Sequence, residues 1–335
     1  MYSLKNTILF LLLFLFLIIL SVVVGTRDVS VGTDTANYTD FFHNVEFIVD
    51  SSRFELLFKY LTYGVKLTTN NPELYFAIIF LLFNYIYIYF YFRAIGEKSK
   101  RVENIIILLG LMLSSSWYVV ATINGLRQGL SLPLMYLSLL FFSERKIIFS
   151  ILFFGLSLGF HVSSILVLPF FFFVFLRERL VLFVFIFSAF LYFLGATEIL
   201  VAGISDFLSI SLYSDIINYS SESNNWVGFQ ADFFLYTVFF GVFFYFFQRY
   251  INKKYIENYI RLWKFYCVLM MPYFFFGFGA YSNRYALIGW LFLPVIQTFF
   301  IISSRFSNRV KLFLGCVFFI FGFLSYLFLV LGFSL

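Results

Sequence analysis

Few residues in this chain can do chemistry, and three of them are arginines beside long apolar runs: Arg27, Arg127 and Arg284. A guanidinium cannot shed its proton to escape a low-dielectric setting. At the centre of a membrane helix it costs about 2.5–3.5 kcal/mol, so each arginine either reaches water or holds an anion. Its planar fork suits a phosphate group, which it grips in a bidentate way. Two titratable residues stand in similar positions: Asp34, in Gly32-Thr33-Asp34, and His161, in Phe160-His161-Val162-Ser163-Ser164. Each also has a plainer reading. An interfacial arginine can simply snorkel to water. Asp34 can cap a helix starting near Thr35, and a lone histidine beside an apolar run is usually a hydrogen-bonded structural residue.

The surrounding elements decide whether these residues share a side. The chain has 335 residues, 62% hydrophobic and 12% charged, against about 25% charged in a soluble domain. It therefore reads as an all-α polytopic membrane protein. Apolar runs near the roughly 20 residues that cross a bilayer fall at 8–24, 72–92, 104–120, 126–142, 147–160, 162–176, 180–194, 233–247, 265–279, 287–302 and 312–331. That gives about 11 transmembrane helices (10–12) by the length criterion, in a single integral membrane domain, 1–335. The first run follows Lys5 and precedes no small-residue cleavage pattern, so it reads as an uncleaved anchor.

Orientation follows from lysine and arginine. With the N-terminus cytoplasmic and the crossings alternating, 17 of the 23 basic residues face inward, loop by loop. Among the inward ones are Lys98, Lys100 and Arg101. Arg27, Arg53, Lys59, Lys66, Arg127 and Arg284 face out. The net charge of +6 is thus loop charge, not a nucleic-acid signal. A polar stretch with amphipathic parts runs over 25–71. A larger outer loop at 195–230 carries Asp206, Asp215, Glu222 and Trp226, able to cover a site or supply a carboxylate. Two histidines without a nearby cysteine make no zinc site. No Asp-x-Asp pair is present to hold a metal on a sugar diphosphate. The composition points to cationic side chains, without a metal, for any phosphate. Cys267 and Cys316 lie in apolar runs and read as free buried thiols.

Taken in order, three pieces resemble the EpsG/Wzy-like family of bacterial polysaccharide (O-antigen, capsule, exopolysaccharide) polymerases. They are Arg27 with Gly32-Thr33-Asp34 and Tyr38, then Asn124-Gly125-Leu126-Arg127-Gln128, then Phe160-His161-Val162-Ser163-Ser164. The resemblance covers about residues 8–169; beyond it the outer loop, Asn283-Arg284 and the run of spans agree. It implies a glycosyltransferase that moves a growing glycan from a polyprenyl diphosphate carrier onto a lipid-linked repeat unit. The site would face outward from the bacterial plasma (inner) membrane. The lipid-linked glycan is then substrate, no cofactor is needed, and the partners are lipid-linked oligosaccharide repeat units, membrane lipid and a chain-length regulator.

On that basis Arg127, as a catalytic residue, and Arg284, as a substrate-binding one, stabilise the departing diphosphate, with Arg27 in support. Asp34 and His161 are the two candidates for the base that accepts the hydroxyl proton, and the sequence does not choose between them. Gln128 and Tyr38 are candidate sugar contacts. A flippase for the same cargo, an O-antigen ligase-like enzyme or an O-acyltransferase are the alternatives. A flippase should line a cavity with charge through the membrane depth, and the middle of these spans carries almost none.

Overall fold

The computed structural model describes residues 4–48, 54–96, 102–221 and 227–331. Arg53, Lys98, Lys100, Arg101, Glu222 and Trp226 lie outside the described residues. Every regular element among the described residues is helical. Contacts divide the chain into two compact units, Met1–Ile165 with Phe306–Leu335, and Leu166–Arg305. In chain order the helices are α1 (Leu4–Gly25), α2 (Thr35–Ile48), α3 (Leu56–Lys66), α4 (Pro72–Ile95), α5 (Val102–Leu113) and α6 (Ser116–Val119). A π-helical turn, Val120–Asn124, leads to α7 (Leu126–Ser143) and α8 (Ile147–Phe160), then a 3-10 stretch, Val162–Phe175. There follow α9 (Glu178–Phe193), α10 (Ala196–Leu208), α11 (Leu212–Ser221), α12 (Ala231–Phe247), α13 (Ile256–Phe276), α14 (Ser282–Trp290), α15 (Leu293–Ser303) and α16 (Asn308–Val330).

Four helices are long and apolar enough to cross a membrane, or up to six if each of two sharply bent pairs counts as one crossing. Large apolar side chains point away from the protein along them, for example Phe183, Phe239, Ile320 and Phe321. Water does not tolerate such continuous apolar surface, and the build is that of a polytopic membrane protein. Many phenylalanines therefore face outward, as Phe321 at 66% exposure does, and Cys316 is exposed on α16 rather than buried.

The structure departs from the sequence reading in four places. Among the described residues the polar stretches 25–71 and 195–230 are largely helical, because α2, α3, α10 and α11 each bury an apolar side through residues such as Phe42, Phe58, Val201 and Ile216. The run at 104–120 is not straight: α5 and the segment Ser116–Asn124 meet at 79°. At the corner the Ser114 hydroxyl lies 2.7 Å from the Gly110 carbonyl and 3.2 Å from that of Phe318, a side-chain alternative to continuing the helix. The basic segment 248–264 between the runs at 233–247 and 265–279 is not all loop, since α13 already begins at Ile256 and buries Tyr259, Leu262 and Trp263.

The fourth departure is the 3-10 stretch. Its 14 residues at a rise of about 2.0 Å extend about 28 Å, close to the ~30 Å hydrocarbon thickness. An α-helix of the same count would reach only about 21 Å. Lys264 donates to the carbonyls of Val174 and Leu176 at its end, satisfying acceptors that the helix leaves open.

Small residues set the packing of the first unit. A Cβ on Gly110 would lie 2.6 Å from the Phe319 backbone nitrogen, so α5 and α16 meet backbone to backbone, as membrane helices do at small residues. The α7–α8 hairpin is stitched by serines. Ser138 donates to the Ser150 carbonyl at 2.9 Å, and Ser131 and Ser157 each donate to the other's carbonyl at 2.8 and 2.9 Å. The Ser164 hydroxyl joins that of Ser131 at 2.6 Å, which ties the first turn after His161 to α7.

Candidate active site

The turn before α7 presents Arg127. Gly125 closes the π-helical turn by donating its N–H to the Val120 carbonyl at 2.7 Å. A side chain on Gly129 would collide with the Ala121 carbonyl, so the first turn of α7 packs directly on the turn that precedes it. Gly32 sits at φ +88°, a left-handed conformation that glycine adopts freely, and a Cβ there would collide with Asn124 Oδ1. The Gly32-Thr33-Asp34 loop therefore lies against Asn124, and two of the three sequence pieces are neighbours. Helix α2 begins at Thr35, directly after Asp34.

The third piece reaches Arg127 through a residue that no motif contained. Glu55 stands at the N-cap of α3, but its side chain does not cap that helix. One carboxylate oxygen, Oε2, accepts from Arg127 Nη1 at 2.7 Å. The other, Oε1, lies 2.8 Å from His161 Nδ1 and accepts from the Val162 N–H at 3.3 Å. Arg127, Glu55 and His161 keep 22%, 14% and 18% of their side-chain surface, so the cluster is sheltered yet open to a ligand. The Arg127 guanidinium lies 4.8 Å over the Phe54 ring, in cation–π range. Gly159 makes this approach possible: a Cβ there would lie 2.5 Å from Leu57 Cγ, so α3 rests on α8 just where Glu55 must meet His161.

Burial alone would raise the Glu55 carboxyl, but the His161 hydrogen bond and the Arg127 charge outweigh it and hold it at about 2, against 4.5 ordinarily. A depressed carboxylate stabilises the fold above its unfolded value and loses that contribution as pH falls through its folded one. The stability difference between the native chain and Glu55→Gln should thus be complete above about pH 4.5 and vanish towards about pH 2. Thermal unfolding of both in detergent across that range measures it.

A family model, that of the EpsG family, matches residues 8–334. The chain belongs to the EpsG family. The match takes in both compact units, well beyond the 8–169 over which the motifs are legible. Comparison with curated proteins and with solved structures gave no match.

In this EpsG-family chain the remaining sequence candidates fall as follows. The Tyr38 ring packs on Phe54 and Phe58. Burial pushes its hydroxyl up, and the neighbouring Arg127 guanidinium pulls it back. Tyr38 therefore lies against Arg127. Gln128 is buried in the packed side of α7. Asp34 has Tyr38 as an electrostatic neighbour, and the carboxylate joining Arg127 to His161 is that of Glu55.

Arg27 is only 8% exposed; it donates to the Val24 carbonyl at 2.7 Å and to Thr35 Oγ1 at 3.3 Å, and it covers the Phe76 ring at 4.2 Å. Burial lowers it to about 10, and its partners are those of a residue locking α1 to α2 and α4. Arg284 belongs to the second unit, where it opens α14 with its guanidinium 4.4 Å over the Tyr281 ring. Among the described residues no three His, Cys, Asp or Glu side chains group as metal ligands. Among the described residues Arg127 Nε is also buried with no hydrogen-bond partner. Glu55 is the functional candidate that the sequence reading missed. The only signal for it was an acid at the head of an amphipathic segment in the polar stretch 25–71.

Proposed function

We propose that this chain is a polysaccharide polymerase, a glycosyltransferase that moves a growing glycan from a polyprenyl diphosphate carrier onto a lipid-linked repeat unit. Family membership supports the polymerase class. One observation carries the choice of site: Arg127 and His161, from two separate motifs, meet within hydrogen-bond distance of one carboxylate. In this reading the chain crosses the plasma membrane eleven times with its N-terminus in the cytoplasm, and the cluster faces outward.

The reaction divides the labour. The acceptor sugar hydroxyl attacks the anomeric carbon of the donor glycan. A new C–O glycosidic bond forms as the anomeric C–O bond to phosphate breaks. The bonding pair leaves with the diphosphate, which departs as an anion and needs a cation more than a proton. Arg127 supplies that charge, because its guanidinium has five N–H donors and Glu55 takes one nitrogen. The hydroxyl proton passes to His161, chosen over Asp34 because His161 lies in the cluster with Arg127. Tyr38 backs Arg127 from within the protein.

A glycan ladder tests the reading. The chain is expressed in a strain that lacks its own polymerase but makes the cognate repeat unit, and surface glycan is run on a gel. A ladder that depends on the chain supports polymerisation. Single repeat units that reach the surface only when the chain is present, with no ladder, would replace this reading by a flippase.

A further inference from the structure

Glu55 has no place in the sequence motifs, yet it is the joint on which they meet. At neutral pH an ionised carboxylate can only accept hydrogen bonds. An imidazole nitrogen 2.8 Å from it must therefore carry the proton, and that nitrogen is Nδ1 of His161. When the ring is neutral, the other nitrogen, Nε2, is then left with a lone pair and no proton. Among the described residues Nε2 has no hydrogen-bond partner, so it is free to accept from a ligand. The carboxylate is itself held in place. Arg127 fixes one oxygen, the Val162 N–H shares the other, and the contact of Leu57 with Gly159 sets the backbone. The ring cannot swing easily either, because the His161 N–H bonds the Ser157 carbonyl at 2.9 Å and Ser164 is anchored on Ser131.

We infer that Glu55 is a positioning residue that confines the His161 proton to Nδ1 and so turns Nε2 into the acceptor for the substrate hydroxyl proton. The catalytic half of this inference rests on the polymerase reading; the tautomer half does not. The logic is that of any base whose far nitrogen is fixed by a third group. Glu55 touches no reacting atom. It acts through His161, and by holding Arg127 beside the ring it also sets the distance between cation and base.

The test uses the fact that the chain has only two histidines, His43 and His161. The full chain, labelled with 15N-histidine and held in lipid nanodiscs at neutral pH, gives two sets of ring signals, and His161→Gln assigns them. The expected result for the neutral form of the His161 ring is a proton on Nδ1 and a bare Nε2. Glu55→Ala should return the ring to a mixture with the proton mainly on Nε2. A proton on Nε2 in the intact chain, or a tautomer indifferent to Glu55→Ala, overturns the inference.

Elongation of lipid-linked repeat units by the same preparations gives the second arm. Glu55→Gln, which keeps the shape and loses the charge, should lower kcat by about 10²- to 10⁴-fold with KM within about threefold of the native value. Glu55→Asp, which restores the charge, should recover part of the rate. A Glu55→Gln chain as fast as the native one overturns the inference. A native chain that elongates nothing overturns the polymerase reading instead and leaves the tautomer result standing by itself.

Discussion

Arg127→Ala should cut glycan elongation by about 10²- to 10³-fold, the usual cost of removing one preorganised group from a developing anion. The amount of protein in the membrane should stay near normal. Arg127 stands at a junction between a π-helical turn and α7, and its ion pair with Glu55 is part-exposed rather than deep in the core. When Arg127 is removed, Glu55 keeps its His161 and Val162 partners. Arg127→Lys should also elongate poorly. An ammonium can face Glu55 as a point charge, but it lacks the planar fork that serves a carboxylate and a phosphate together. Ladder length on a gel, read beside an immunoblot of the membrane fraction, separates these outcomes. A normal ladder from Arg127→Ala would remove the anion-stabilising role.

His161→Ala carries the second large effect, a loss of about 10²- to 10⁴-fold if the ring serves as general base. The backbone hydrogen bond from His161 to Ser157 survives the change, as do the serine contacts behind it. A fall in rate with an unchanged melting temperature would mark a chemical role. A fall in melting temperature with a normal ladder would mark a structural one. The double variant Arg127→Ala/His161→Ala should cost less than the product of the two singles, because both residues hang on one carboxylate and serve one step. Full multiplicative loss in the double variant would mean that the two act independently.

Much of this was legible in the residues, and the reasons differ from element to element. The helical class followed from long apolar runs. The start of α4 at Pro72 matches the head of the run at 72–92, and in the structure the Asn71 side chain accepts from the Glu73 N–H at 2.7 Å. Helix α2 begins directly after Asp34, as local cap chemistry suggested. The motifs also named Arg127 and His161, which do come together. What bound them was not legible. Glu55 lies 72 residues before Arg127 and 106 before His161, and only the packing of α3 on α8 brings the three into contact. Asp34, the acid the motifs offered, directly precedes α2, while the carboxylate between Arg127 and His161 is that of Glu55. Arg27 looked like a free cation at a span end, yet its two terminal nitrogens donate to Val24 and Thr35. Local chemistry can be read along a chain. Which acid closes a long-range contact depends on which backbones approach closely, and here a glycine without a side chain, Gly159, decides that.

The carboxylate on Arg127 also bears on turnover. A cation that already faces a covalently tethered anion holds a second one less tightly, since the tether keeps its competitor at an effective concentration on the order of millimolar. In a polymerisation cycle the polyprenyl diphosphate left after each transfer would meet that competitor at once. Glu55 would then reclaim the guanidinium as the product departs, and the residue that steadies the departing charge would not become a trap for it. Under the proposed reaction, release of the spent carrier, and with it the pace of successive additions, would depend on a single ion pair of 2.7 Å.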